Sequence, residues 1–532
     1  MATFGEAKML RTKPRTHLRD KTRGRSTIAT IVTKSMTSPT SYRNVQNGSD
    51  VRGVALGDPE AVTLTPSMVR NIARAFAVTL GKDSGAVSVG VGRDSRVTGQ
   101  ALGKEALQGI VEAGDNCSAI DLGIATTPAM FMSTITPGFR YSGSIMLTAS
   151  HLPYDRNGMK FFTESGGLGK SDIARILDLA EEYDGAELPQ LSHSQVERIS
   201  EAIFIPTYAK TLRDTIVAEV GEGETPLAGL KIIVDAGNGA GGFFADQVLA
   251  PLGADVSGSQ FLDPDGMFPN HVPNPEDAEA MESVTAAVLR EGADLGVIFD
   301  TDVDRSGIVD SKGTVFNKNR LIAAMAAITL RGCPGGTIVT DSVTSDALTT
   351  FIDSRGGNHL RYKRGYKNVI EKGKEIENCP LMIETSGHGA MAENHYLDDG
   401  AYMAVKMIIE AARRDGGLAG LVEGFQEPLE AREYRVKYSK DAPSGYSEEI
   451  IRAFEEFCDS ERSPGDWKSA SDNFEGWRVS VLDGEGWVLM RRSLHDPLLV
   501  INAETNVKGG VSKAMGVMRT FLEPYTYLDK LD

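Results

Sequence analysis

Cysteine is scarce in this sequence. There are four, Cys117, Cys333, Cys379 and Cys458, scattered and with no C-x-x-C pair. They fit a reducing compartment and give no sign of a thiolate-held metal. The eight histidines include no H-x-x-x-H pair, the spacing of a zinc-binding helix. Long apolar runs are missing too. The densest apolar helix expected, residues 321–330, is far shorter than the ~20 residues of a membrane span, so no membrane partner is expected. Basic charge falls short of acidic: 56 Lys and Arg face 73 Asp and Glu, a formal −17. That balance argues against nucleic acid as a general partner. It also means that an anionic substrate must meet a local cluster of cations against an unfavourable net field.

What remains is the composition of an ordinary globular protein, 41% hydrophobic and 24% charged. A length of 532 residues is too great for one core and suggests about three or four domains. Residues 1–42 stand apart, with nine Lys or Arg against two acids, Glu6 and Asp20, and no apolar signal core. This segment resembles an organelle transit peptide; a disordered basic tail on a cytoplasmic protein is the alternative.

Three segments share one pattern, an apolar strand ending in Asp followed by a small-residue loop into a helix. They end at Asp94, Asp235 and Asp341. Strands alternating with helical stretches argue for parallel α/β layers, and the recurrence suggests three similar domains. Punctuation at Ile205-Pro206, Ser311-Lys312-Gly313 and Gln426-Glu427-Pro428 divides the chain into 43–205, 206–313, 314–430 and 431–532. The last part, with strands opening at Trp477 and Trp487, reads as a smaller α+β domain. The glycine-rich loop after Asp235 lacks the Lys and Ser/Thr of a Walker A loop and reads as structural.

The most informative run is residues 299–305, Phe-Asp-Thr-Asp-Val-Asp-Arg. Residues two apart on an extended chain point to one side, so Asp300, Asp302 and Asp304 are expected to converge. Three such carboxylates repel unless a cation joins them, and oxygen ligands in a short run suit a hard ion such as Mg²⁺. A calcium loop of the helix–loop–helix type is excluded, because its sixth and twelfth positions would be Arg305 and Ser311 rather than Gly and Glu. Arg305 beside the carboxylates favours phosphate chemistry. An Asp-nucleophile phosphatase stays open on this evidence.

Three further constellations carry chemistry. Residues 148–160, TASHLPYDRNGMK, read as a loop on Pro153, Asn157 and Gly158. It presents Ser150, His151 and Lys160. No G-x-S-x-G surrounds Ser150, so it is not a hydrolase elbow; it can instead carry a phosphoryl group, which a metal on the Asp run would hold and activate. Ser150 and His151 are not expected to face each other, being adjacent. Residues 384–388, ETSGH, place Glu384 and Ser386 alternately on one face as a fork for vicinal hydroxyls, with His388 as a titratable donor. Residues 491–497, RRSLHDP, combine Arg491, Arg492, Ser493 and His495 as phosphate donors. Metal-bound phosphoryl chemistry, a hydroxyl fork and a remote phosphate clamp are what a sugar phosphate requires.

On these motifs the chain, over about residues 43–532, resembles the α-D-phosphohexomutase superfamily of phosphoglucomutases and phosphomannomutases. Residues 47–53, NGSDVRG, resemble its N-terminal substrate loop, with Arg52 at the arginine position. Ser150 with His151 resembles its phosphoserine loop, and Lys160 falls at the catalytic lysine. Asp300, Asp302 and Asp304 fall at its metal ligands, which Ser150 completes, with Arg305 beside them. Lys363, in Lys-Arg-Gly-Tyr, matches a substrate-contacting lysine. Glu384, Ser386 and His388 fall on the sugar loop, and Arg491 and Ser493 on the phosphate loop. Leu494-His495 departs from that loop's usual Gly-Thr, so His495 stands where a Thr hydroxyl would donate.

The resemblance implies three similar mixed α/β domains and a smaller fourth around a central cleft. It implies interconversion of hexose 1-phosphate and hexose 6-phosphate, of glucose or mannose, through a phosphoserine and a bisphosphorylated sugar. One Mg²⁺ per chain and a hexose 1,6-bisphosphate activator come with it. Lys160 or Lys363 would assist proton transfer if a positive environment lowered its pKa. A catalytically weak sugar-phosphate-binding paralogue is the alternative. The variant motifs resemble a plant- or alga-type branch, which with the N-terminal segment implies a plastid (chloroplast) location.

Overall fold

The computed structural model describes residues 41–81, 85–186, 190–221, 223–413, 417–493 and 497–531. Residues 1–40 of the basic segment, and Leu494 and His495 of the phosphate loop, lie outside the described residues.

Among the described residues the strands form four sheets. The first is mixed. Its centre is the strand Val87–Arg93, parallel to Cys117–Ile124 on one side and to Gly143–Leu147 on the other. Beyond Gly143–Leu147 the direction reverses, through Arg156–Thr163 and Asp50–Val54. The second sheet sets Ile232–Asp235 parallel to Leu295–Phe299, which turns back antiparallel into Ser306–Asp310. The third runs Thr337–Asp341 parallel to both Asn358–Tyr362 and Leu381–Ile383. The fourth, from Glu430–Lys437 to Leu498–Thr505, is antiparallel throughout. Three mixed α/β units and a smaller C-terminal α+β unit are therefore present.

The three Asp-ended strands behave alike for a physical reason. Each is buried on both faces, as parallel strands covered by helices must be, and each delivers its polar end to a loop. Helix Lys318–Gly332 contains the apolar run 321–330, buried along its length. It packs inside the protein, and no described helix is long and apolar enough to cross a membrane. The main core spans the second and third units, reaches into the first through Phe131 and Phe162, and takes in Tyr208 and Leu212 of helix Ile205–Val220 with its N-cap Phe204.

One expectation needs correction. Pro153, Asn157 and Gly158 predict a loop over residues 148–160, but strand Arg156–Thr163 begins inside them. Asn157 and Gly158 are turn formers used here for close packing. A Cβ at Gly158 would overlap the carbonyl oxygens of Val51 and Thr148, so only glycine lets the neighbouring backbones approach.

The segment 263–276 of the second unit is tied down by a buried pair. His271 Nε2 lies 3.1 Å from both oxygens of Asp235, and Nδ1 lies 3.0 Å from the Val272 carbonyl. Both ring nitrogens face acceptors, so both donate, which defines an imidazolium. Burial pushes the imidazole pKa down, but the bond and charge of Asp235 outweigh it and hold the pKa above the ordinary 6.5. This stabilisation is complete below the unfolded-state pKa and is lost as pH rises through the folded value. The stability difference between the wild type and His271→Gln, from urea unfolding, should be largest near pH ~6 and shrink by pH ~9. A difference that stays flat across this range would contradict the pair.

Candidate active site

The carboxylates of Asp300, Asp302 and Asp304 do converge, but not by strand alternation. The strand ends at Phe299, and a tight turn follows: Asp300 N–H donates to the Arg305 carbonyl and Val303 N–H to the Asp300 carbonyl. Val303 takes a left-handed φ of 68°. The turn wraps the side chains inward where an extended chain would have splayed them along its length. It is fixed from all sides. Asp302 O accepts from Thr127 N–H at 2.8 Å, Thr301 O from Ala240 N–H at 2.8 Å and Val303 O from Gly400 N–H at 3.2 Å. The glycine-rich loop after Asp235 thus braces the Asp run, a structural role.

All three carboxylates are fully buried, and oxygens of the three lie within 4.8 Å of one another. Two cations answer them. Lys160 Nζ donates to Asp302 Oδ2 at 3.0 Å and to Asp304 Oδ2 at 2.5 Å. Arg305 Nε and Nη2 donate to Asp300 Oδ2 at 3.1 and 2.9 Å. Thr127 Oγ1 donates to Asp302 Oδ2 at 2.5 Å. Two buried oxygens, Asp302 Oδ1 and Asp304 Oδ1, accept no hydrogen bond. Buried carboxylate oxygens left bare are costly, and a hard cation is what such a donor set takes. The residues fit a metal site.

Ser150 faces this site. Its Oγ lies 3.0 Å from Asp300 Oδ2, accepts from Arg305 Nη2 at 2.7 Å and sits 3.3 Å from His151 Nδ1. The adjacent side chains meet, against expectation, because Ser150 has φ 51°; the kink swings two neighbours to the same side. His151 Nδ1 accepts from Arg305 Nη2 at 2.7 Å. Burial, then the charges of Arg305 and Arg52, push its pKa far down, so His151 is a neutral acceptor. Lys160 behaves oppositely to the condition set for it. Burial disfavours its charge, but Asp302, Asp304 and Asp50 outweigh burial and raise its pKa well above the ordinary value. In this arrangement it is an ammonium rather than a base. Asp304 is opposed by burial but held below the carboxylate range by Lys160, His388 and Arg305, whereas burial and the charge of Asp304 push Asp300 up.

The third unit closes one flank. His388 Nδ1 bonds Asp398 Oδ2 at 2.7 Å and lies 3.8 Å from Asp304 Oδ1. Burial is outweighed by Asp398 and Asp304, so its pKa rises to about 9 and it is charged at neutral pH. Tyr366 stacks on it at 5.0 Å and donates to Asp50 Oδ1 at 3.4 Å; the other Asp50 oxygen takes Arg52 Nη2 at 2.9 Å. Arg52 thereby joins the cluster through Asp50.

A second cluster lies at the seam of the third and fourth units. Residues 384–388 form a tight turn, Glu384 N–H donating to the His388 carbonyl, rather than an extended fork. Ser386 Oγ still reaches Glu384 Oε2 at 3.3 Å, and Gly365 N–H donates to Glu384 Oε1 at 2.6 Å. Burial and Asp341 raise the Glu384 pKa to about 7. Arg364 lies 3.6 Å from Asp341 and 4.0 Å from Glu433. Glu433 and Glu475 each stand 3.8 Å from the buried Arg491. Ser493 follows on the same strand end, its N–H donating to the Leu498 carbonyl. Lys363 is exposed, its ammonium 5.9 Å from the Tyr362 ring, and joins neither cluster.

Asp398, downstream of residues 384–388 in the sequence, is brought onto His388; sequence reasoning missed Asp94, Arg96, Thr127, Tyr366, Glu433 and Glu475 as parts of this machinery. Tyr366 lay beside Lys363 in a motif already singled out. Thr127 and Arg96 act on residues more than fifty positions away and carried no local signal.

Joined α/β units that set a serine hydroxyl against a buried, cation-ready carboxylate loop define a phosphoryl-transfer class of enzyme. Comparison with known proteins makes this specific. The models for α/β/α domains I, II and III of phosphoglucomutase/phosphomannomutase match residues 43–187, 207–313 and 317–428. A phosphomannomutase/phosphoglucomutase of Pseudomonas putida is 30% identical over 442 residues, covering 82% of this chain and 88% of that protein. One from Pseudomonas aeruginosa is 29% identical over 497 residues, covering 91% and 97%. A phosphoglucomutase/phosphomannomutase family protein of Burkholderia thailandensis, 24% identical, shares the fold at a TM-score of 0.73 over 93% of this chain and 100% of its own. The chain belongs to the phosphoglucomutase/phosphomannomutase family, within the α-D-phosphohexomutase superfamily.

Removing the Lys160 ammonium by Lys160→Met should leave two buried carboxylates without their partner. A loss of about 3–5 kcal/mol is the usual scale for breaking a buried pair. Millimolar Mg²⁺ should then raise the melting temperature of Lys160→Met more than that of the wild type. Equal shifts in the two proteins would show that Lys160 and a cation do not share these oxygens.

Proposed function

We propose that this enzyme interconverts hexose 1-phosphate and hexose 6-phosphate, of glucose or mannose, through a phosphoserine at Ser150. The observation that carries the reading is the meeting of Ser150 Oγ with Asp300 and Arg305, across 150 residues of sequence and two different sheets. A hydroxyl so placed is poised to carry a phosphoryl group beside a carboxylate metal site. Membership of a family whose curated relatives bear both mutase names supports the same activity. The binding-only paralogue, suggested by the Leu494-His495 departure, is not favoured by these relatives.

The residues have distinct tasks. Asp300, Asp302 and Asp304, completed by Ser150, would hold Mg²⁺, which supplies neutralisation of charge on the phosphoryl oxygens. Arg305, donating to Ser150 Oγ, stabilises charge on that oxygen as the phosphoryl leaves. His151 is kept neutral and orients Arg305. Lys160, protonated, offers positive charge beside the transferring group. Arg52 and His388 flank it, and Glu384 and Ser386 meet sugar hydroxyls. Arg491, Ser493 and His495 take the phosphate that does not react, with Lys363 contacting substrate from its exposed position. Hexose 1,6-bisphosphate fits as the activator, because it can phosphorylate a bare Ser150. The cleft lies among four units divided at about 43–205, 206–313, 314–430 and 431–532, and the fourth closes over the substrate.

Incubation with hexose 1,6-bisphosphate labelled in its phosphates should place label on Ser150, found by peptide mass. Ser150→Ala should lose both the label and turnover. Chelation of Mg²⁺ should stop transfer while circular dichroism stays unchanged, since Lys160 and Arg305 already balance the loop. Binding of hexose phosphates with no label on Ser150 sinks the mutase reading; unfolding on chelation sinks the assigned role of the metal.

A further inference from the structure

The peptide that carries Ser150 is held by an arginine that no substrate can reach. Arg96 is 2% exposed. Its Nη2 donates to the carbonyl oxygens of Ser150 and of Leu152, the latter at 2.6 Å. Its Nη1 donates to those of Pro153 at 2.7 Å and Arg156 at 2.9 Å. Nε lies 3.3 Å from Asp94 Oδ2, and Asp94 Oδ1 accepts from the Arg96 backbone N–H at 3.0 Å. Four carbonyls thus take the Nη1 and Nη2 donors, and the Asp94 carboxylate stands beside Nε as an ion pair without a hydrogen bond. At this burial none of the donors is open to a phosphate.

The loop so gripped needs gripping. Ser150 sits at φ 51°, a left-handed conformation that a serine takes only when its surroundings impose it. That conformation brings Ser150 Oγ to Asp300 and Arg305 together. The fork geometry of Arg96 matches several carbonyls at fixed angles, which a lysine point charge does not. The second unit covers the grip from outside. The Phe268 ring lies 5.3 Å from the Arg96 guanidinium carbon. Gly266 packs on residues 95–97 so closely that a Cβ there would stand 2.6 Å from Arg96 Cα. Segment 263–276 also reaches the Asp run, where Asn274 Oδ1 accepts from Arg305 Nη1 at 3.2 Å. One segment therefore touches both the holder of the serine and the arginine beside its hydroxyl.

We infer that Arg96 is a positioning residue for phosphoryl transfer: it imposes the left-handed Ser150 and sets the serine oxygen against the Asp300 loop, and segment 263–276 keeps it in register with the second unit. This rests on the mutase reading given above. Because Arg96 touches no substrate, its loss should act on the transfer step and not on sugar binding.

The test compares the wild type, Arg96→Ala, Arg96→Lys and Gly266→Ala with hexose 1-phosphate, bisphosphate activator and Mg²⁺. A displacement near 1 Å at a reacting atom lowers rate by about 10²-fold. Arg96→Ala should therefore lose about that much in kcat, with KM within about threefold of the wild type. Guanidinium ion at a non-denaturing concentration should restore part of the lost kcat in Arg96→Ala and none in Ser150→Ala. Arg96→Lys should fall between, and Gly266→Ala should lower kcat without raising KM.

The inference is overturned if folded Arg96→Ala keeps kcat within about threefold of the wild type. It is equally overturned if kcat, KM and melting temperature all worsen together with no recovery by guanidinium, which is the pattern of a merely structural residue. Should Arg96→Ala fail to fold, Arg96→Lys and Gly266→Ala decide by the same kcat-against-KM split. If the wild type itself does not turn over hexose phosphates, the mutase reading has failed and the inference falls with it.

Discussion

Three carboxylates buried in one six-residue turn set the terms for the rest of this protein. Charge that deep is tolerated only when it is answered nearby, and the answers come from distant parts of the chain. Lys160 and Thr127 arrive from the first sheet unit, Arg305 from the turn itself, and His388 from the third unit. Backbone donors of Ala240, Thr127 and Gly400 pin the same turn. The Asp run is therefore the point at which three units are made to agree on a geometry. Disturbing it changes their relation as well as the local chemistry.

That hub also sets the charge of Lys160. Lys160 is an ammonium here because Asp302 and Asp304 both point at it. Its acidity is a property of where those carboxylates are directed, not of the lysine's own position in the cleft. The same holds for His388, whose charge is sustained by Asp398 and Asp304 against burial. Acid–base behaviour in this site belongs to the cluster.

Much of the fold was legible because it rests on short-range patterns. Apolar strands ending in Asp, followed by small residues, foretold three α/β units, and the Asp run and Ser150 were visible as residue types in unusual local sequence. What stayed hidden depended on contacts between distant segments. The turn at Val303 looked like strand, since alternation of Asp with Thr and Val mimics a period of two. Asn157 and Gly158 looked like a loop, because close backbone packing uses the same residues as turns do. The protonation of Lys160 could not be foreseen from the positive residues around it in sequence, as its partners lie 142 and 144 positions away. Arg96 was hidden most deeply: its ligands are backbone carbonyls, which every sequence has.

The proposed phosphate clamp has a property that follows from its spacing. Arg491 is buried, its Nε donates to nothing, and its two carboxylate neighbours stand at 3.8 Å, too far to hydrogen-bond. Glu433 and Glu475 balance its charge without occupying its donors. Among the described residues its one hydrogen bond is from Nη1 to the Arg492 carbonyl at 3.3 Å. In the proposed clamp an arriving anion would therefore exchange with near carboxylates and one carbonyl, without first breaking a hydrogen-bonded salt bridge.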